Sequence, residues 1–304
     1  MARQFVICSI LILHALTSTP PTMAGQGVLL GVLEDVPGDY YGEPNSRHVR
    51  VVFQKVGKDW EAFPSDCPDQ SCLKTTPAKY PKEVLWTVSY DGRKLGRLTG
   101  ETPKEFNLYS HIGLQQIKAN SLVPTIGKRS AEYGGYTGAS VLRPLISNSQ
   151  PYFNDPEKWK PAQLNAALLN SLRKEFRRKS PKLCQISKQD ETRLEPLPYR
   201  DDDLKVVKAY VSNKNWFLAR LHLEGAVGCE DVEGGFEIPD QWFTVDPQNV
   251  VTYLDEGMWL VDAGDYDDDG RSELVFAIDD DNRGGYEIFY DNFKKHATFK
   301  FSYH

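Results

Sequence analysis

Asp265, Asp267 and Asp269 stand at positions 1, 3 and 5 of an acidic stretch inside Val261–Phe276. A chain coiling around a small cation turns alternate side chains inward, so carboxylates at this spacing can reach one ion. Gly270 at position 6 permits the sharp turn that a side chain would resist. Arg271 at position 7 can offer its backbone carbonyl, with its side chain pointing away. Glu273 at position 9 completes an all-oxygen set. Hard oxygen ligands suit Ca²⁺ rather than Zn²⁺, which prefers nitrogen and sulfur. An EF-hand would need a bidentate Glu at position 12, where Phe276 stands. Asp-rich turns without metal are common, but the match at positions 6 and 9 as well as at the three Asp residues favours calcium. The expected role is structural, since a closed cage fixes a hairpin whereas catalysis needs an open coordination position.

Trp259–Val261 and Leu274–Ile278 flank the loop and read as strands. Similar short runs are Val49–Phe53, Val84–Tyr90, Phe106–Tyr109, Val206–Val211, Trp216–Leu223, Trp242–Val245, Val250–Leu254, Tyr286–Tyr290 and Phe299–Tyr303. Runs rich in Val, Phe, Tyr and Trp with turns between them predict an all-β fold. One segment differs: Ala162–Arg178 places Leu164, Leu168, Leu172 and Phe176 four apart, on one helical face, and Pro161 suits a helix start. The basic residues Arg173 to Lys179 at its end read as a solvated face, although they could grip an anion or membrane surface. Pro144–Pro161 reads as a loop, and Asp201–Asp203 and Asp279–Asp281 as solvated turns.

The string Gly264-Asp-Tyr-Asp-Asp-Asp-Gly-Arg-Ser-Glu-Leu-Val275 resembles the FG-GAP or VCBS-type repeat, the calcium-binding blade of integrin-α-like β-propellers. Its pattern is Gly-Asp-x-Asp/Asn-x-Asp-Gly-x-x-Asp-Leu-Val, and the chain departs from it only at Glu273. The resemblance covers about residues 259–290. It implies a calcium loop between two strands of a blade, with Asp265, Asp267, Asp269, Arg271 (through its carbonyl) and Glu273 as ligands. The expected fold is therefore β-propeller-like with one helical insertion; a β-sandwich with a helix is the alternative. Alternation of Phe299, Phe301 and Tyr303 with polar residues suggests a half-buried terminal strand, which would close a ring by pairing with a strand such as Val28–Leu33.

The N-terminus carries Arg3, then an almost wholly apolar run from Phe5 to Leu16, then Thr22-Met23-Ala24 with small residues for a signal peptidase. This is the form of a secretory signal peptide over residues 1–24. The run is too short to span a bilayer, so no transmembrane segment is expected after cleavage. Residues 25–304 then form a single β-rich domain with a helical insertion near 161–180, secreted or periplasmic. Cleavage removes Cys8 and leaves Cys67, Cys72, Cys184 and Cys229. An even count in an exported chain suggests disulfides, with three pairings possible. Cys67–Cys72 looks like a stapled turn, because Pro68 and Asp69 favour a bend, and Cys184 would then pair with Cys229.

The usual strings for a serine hydrolase, a zinc protease, a phosphate loop or a dinucleotide fold are absent. The five His residues beyond the signal peptide show no metal-ligand spacing. Tyr133-Gly-Gly-Tyr136 is the best candidate for a ligand-facing loop, since exposed aromatics on loops carry recognition. Composition supports a folded protein: of 304 residues, 40% are hydrophobic and 26% charged, which excludes disorder. The net charge of -6 argues against nucleic acid. That acidity is local, since residues 255–291 hold 13 acids against only Arg271 and Arg283. The expected function is a calcium-binding module that binds a protein or glycan without catalysis. An extracellular hydrolase using calcium only structurally is the alternative.

Overall fold

Glu273–Asp280 places Leu274, Phe276 and Ile278 on one side and Val275 and Ala277 on the other. A strand apolar on both faces needs cover on both sides, and that requirement organises the molecule. The structure is a computed structural model, which describes residues 27–38, 45–130, 140–151, 153–190, 193–229, 237–280 and 282–302. The expected signal peptide, Tyr133, Tyr136 and Asp281 lie outside the described residues.

Four strands, β15 (Met258–Gly264), β16 (Glu273–Asp280), β17 (Arg283–Tyr290) and β18 (Lys295–Ser302), form an antiparallel meander. One face, with Val261, Val275, Tyr286, Ile288, Phe299 and Phe301, packs on a seven-stranded sheet. That sheet runs β3-β2-β1-β7-β4-β5, with β6 added on β2. Its strands are β1 (Leu29–Val36), β2 (Ser46–Val56), β3 (Asp59–Ala62), β4 (Val84–Tyr90), β5 (Arg93–Gly100), β6 (Leu114–Gln116) and β7 (Leu145–Asn148). The other face, with Met258, Ala263, Leu274, Phe276 and Phe289, meets Leu218 and Trp242 of a five-stranded sheet. The order there is β14 (Val251–Glu256), β13 (Gln241–Val245), β12 (Phe217–Leu223), β11 (Leu204–Val211) and β8 (Lys160–Pro161). A short helix α1 (Gln70–Thr75) and a small pair, β9 (Cys184–Ile186) with β10 (Leu194–Pro196), complete the elements with α2 (Ala166–Lys179). Helix α2 covers the far side of the five-stranded sheet through Leu168, Leu172 and Phe176.

The protein is thus mostly antiparallel β, as its composition implies, with sheets stacked in layers. None of the sheets closes on itself among the described residues. The C-terminal strand does not pair with β1: β18 hydrogen-bonds to β17, while β1 lies between β2 and β7. Its Phe299 and Phe301 are buried by face-to-face packing instead. Phe106–Tyr109 is not a strand; Phe106 is buried from a loop, and Tyr109–His111 forms a short 3₁₀ turn. The helix starts later than Pro161. Asn165 caps it by accepting from the Leu168 N–H at 2.9 Å, and Pro161 sits in an edge strand beside Tyr210. The basic helix end is held by the chain's own acids, Arg177 on Asp201 and Arg173 on Asp202.

Both disulfides form as the pairing argument suggests, Cys67–Cys72 and Cys184–Cys229, with Cα separations of 5.3 and 5.1 Å. Asp69 caps α1 by accepting from the Cys72 N–H, so the disulfide ties the segment leading into α1 to the helix's first turn. No helix among the described residues is long and apolar enough to cross a membrane.

Candidate metal centre

Gly264 pairs with Glu273 across the β15–β16 hairpin, leaving residues 265–272 as its loop. Asp268 and Gly270 both adopt positive φ, 62° and 83°, which coils the loop back on itself. The Asp265 carboxylate accepts from the Asp269 N–H at 3.0 Å and the Gly270 N–H at 2.8 Å. Asp267 Oδ1 accepts from the Asp269 N–H at 3.2 Å, and Asp269 Oδ1 accepts from the Arg271 N–H at 2.9 Å. These bonds turn the side chains toward one centre. One carboxylate oxygen from each of Asp265, Asp267 and Asp269 lies within 4.8 Å of the others.

Glu273 is 2% exposed, and its Oε2 accepts from the Tyr266 N–H at 2.9 Å. Burial first, then the charges of Asp267, Asp265 and Asp269, push its carboxyl well above the usual range. Burial likewise raises Asp265. Among the described residues, no basic side chain pairs with Asp265 or Glu273. A buried carboxylate without a counter-charge is costly, so this oxygen-only donor set fits a hard divalent cation.

Arg271 departs from expectation. Its guanidinium does not point away from the loop; it folds back on Asp269 Oδ2 at 2.9 Å and reaches Asp291 at 2.8 Å. Carboxylates on both sides draw it in, and they raise its pKa chiefly through the Asp269 hydrogen bond.

Three distant parts of the chain enclose the loop. Lys55 of β2 makes an ion pair with Asp267. Asn154 O accepts from the Asp265 N–H at 3.0 Å, and Asp155 accepts from Ser272 Oγ at 2.5 Å. Lys214 pairs with Glu157 at 2.8 Å and donates to the Gly270 carbonyl at 3.2 Å. Sequence spacing gave no signal for any of them, because each lies more than fifty residues from the loop position it touches.

A second constellation lies where the five-stranded and four-stranded sheets meet. Arg220 and His222 project from the same face of β12, and Asp240 stands beside them. Asp240 bridges the pair, with Oδ1 2.7 Å from His222 Nδ1 and Oδ2 2.5 Å from Arg220 Nε. The cleft, about 270 Å³, is also lined by Glu237 and Trp259. Its described lining carries no Ser, Thr, Cys or Tyr to act as a nucleophile. The site combines donors, carboxylate acceptors and an aromatic wall around one cleft.

No protein-family model, curated protein or solved structure matches this chain.

Proposed function

We propose that this is an exported calcium-binding β protein, in which the ion fixes the β15–β16 hairpin and the whole acts as a protein- or glycan-binding module without catalysis. The observation that carries the reading is the loop's donor set. Three carboxylate oxygens converge within 4.8 Å, beside a buried Glu273 that no basic side chain neutralises among the described residues. Bound calcium would be held by Asp265, Asp267, Asp269 and Glu273, with the Arg271 carbonyl in the position the repeat pattern assigns it. The ion would supply charge neutralisation at a loop where layers meet. The four-stranded meander β15–β18 is blade-like in this reading, and the FG-GAP or VCBS-type resemblance belongs to that unit alone. Export is supported by the signal-like N-terminus and by two disulfides, which persist in oxidising compartments. The Arg220–His222–Asp240 cleft with Trp259 supports the binding part of the reading, since it sets charged hydrogen-bonding groups beside an aromatic wall.

Calcium added at a hundred times its dissociation constant should raise the melting temperature by about 5 °C, because an ion that binds only the folded state stabilises it. Asp267→Ala should abolish the rise. An unchanged wild-type melting temperature over a millimolar calcium series would reject the metal reading.

A further inference from the structure

Lys55 reaches the loop across a layer boundary. It lies on β2 of the seven-stranded sheet, and its ammonium makes an ion pair with Asp267 Oδ2. The two side chains are only 14% and 3% exposed. The ammonium also lies 5.2 Å from the Trp60 ring centroid and 5.5 Å from that of Tyr290. Both rings present an electron-rich face to it. A positive charge is therefore built onto the loop carboxylate at position 3 from another sheet.

Both Asp267 oxygens are engaged. Oδ1 accepts the Asp269 N–H, and Oδ2 faces Lys55. A calcium ion needs one of these oxygens, and would stand beside the ammonium at a site where water screens poorly. Asp269 also faces a cation, since Arg271 bonds its Oδ2, but those two side chains are 43% and 32% exposed and solvent weakens the effect. Asp265 and Glu273 instead meet backbone N–H groups.

We propose that Lys55 is an intramolecular competitor for the cation, so that ion binding at the loop and the Lys55–Asp267 clasp between two sheets exclude one another. This rests on the reading of the loop as a calcium site. Release of Lys55 has a nearby acceptor in Asp59. That carboxylate is bonded to Lys295 Nζ at 2.8 Å, and its pKa is held down mainly by that bond, with Lys55 adding to the effect. Coupling of this kind is reciprocal: the clasp weakens calcium binding by the same factor by which calcium weakens the clasp. Calcium binding thus replaces a bond between layers by one within the hairpin. The affinity falls toward the weak range of extracellular modules, where calcium is abundant.

The test uses the full mature chain and calcium alone as the probe. Isothermal titration of wild type, Lys55→Met and Lys55→Arg compares loss of the charge with its retention. Methionine keeps an apolar stem against Trp60 and Tyr290. Lys55→Met should bind calcium roughly 10- to 100-fold tighter, and Lys55→Arg close to wild type. In the wild type, acetylation of Lys55 by an amine-reactive ester, read by peptide mass spectrometry, should rise when calcium is added. Either unchanged affinity in Lys55→Met or unchanged labelling of Lys55 overturns the competition while leaving calcium binding intact. If Lys55→Met does not fold, the labelling of wild type decides alone. Absence of binding in wild type itself would instead strike the calcium reading, and the two failures are told apart by that one titration.

Discussion

Burial pushes the Asp262 carboxyl up from 3.8 to about 7, against the opposing effect of the Ala263 and Asp91 N–H groups. Both of its oxygens sit 3.2 Å from the Asp91 N–H, so it ties the β4–β5 turn to β15. The sign follows from which state holds its proton longer. Below about pH 4 the carboxyl is protonated in both states and its contribution is complete. As the pH rises toward 7, the unfolded chain ionises first and the folded state loses stability, by on the order of 4 kcal/mol in all. Asp262→Asn keeps an acceptor for Asp91. It should gain stability relative to wild type between pH 4 and 7.5, as measured by urea unfolding at each end of the window; a pH-independent difference would refute this. At this scale the convergence of the loop carboxylates was legible in the sequence, because Asp265, Asp267 and Asp269 lie within one turn. Lys55 and the Arg220–His222–Asp240 set were not, because strand pairing and layer contact bring them in.

The β15–β16 hairpin depends on a close approach at Gly264. A Cβ built there would lie 2.1 Å from Phe153 Cζ, and Phe153 stacks on Tyr266 with centroids 5.4 Å apart. Gly264→Ala should destabilise by about 1–3 kcal/mol through overpacking. Pairing it with Phe153→Ala should recover part of the loss; additive effects in that double-mutant cycle would deny the contact. Strands with strong alternation or bulky apolar runs, such as β4, β12, β13 and β16, were legible with boundaries near those observed. Strand β7 was missed because its four residues follow Pro144 and read as the start of a loop; only their place between β1 and β4 makes them a strand. Edge strand β5 was missed because Arg93–Gly100 is mostly polar. The helix was legible from its Leu and Phe spacing, and its start was misplaced because Asn165, not Pro161, supplies the cap.

Across the whole molecule, the four-stranded sheet shares one core with the seven-stranded sheet and another with the five-stranded sheet. Loss of either partner exposes it, so unfolding of the disulfide-intact chain should be one transition by fluorescence and circular dichroism alike. The two disulfides should differ in weight. Cys184–Cys229 spans 45 residues of sequence and Cys67–Cys72 spans 5. On loop-closure entropy, replacing the first pair by Ser should cost about 4 kcal/mol and the second about 2 kcal/mol. Equal losses in guanidinium unfolding would show that native packing, not chain entropy, sets their value.

By itself the sequence determined the β class, the position of the long helix, the acidic corner and the cation-type spacing of its loop. Each of these depends on residues near one another along the chain, where periodicity and turn chemistry act directly. Only the tertiary structure decided that the sheets stack in layers, that β18 ends beside β17 instead of closing a ring, and that Lys55 stands on Asp267. Those outcomes depend on which apolar faces cover one another and which distant charges meet when they do, and local patterning carries no record of either.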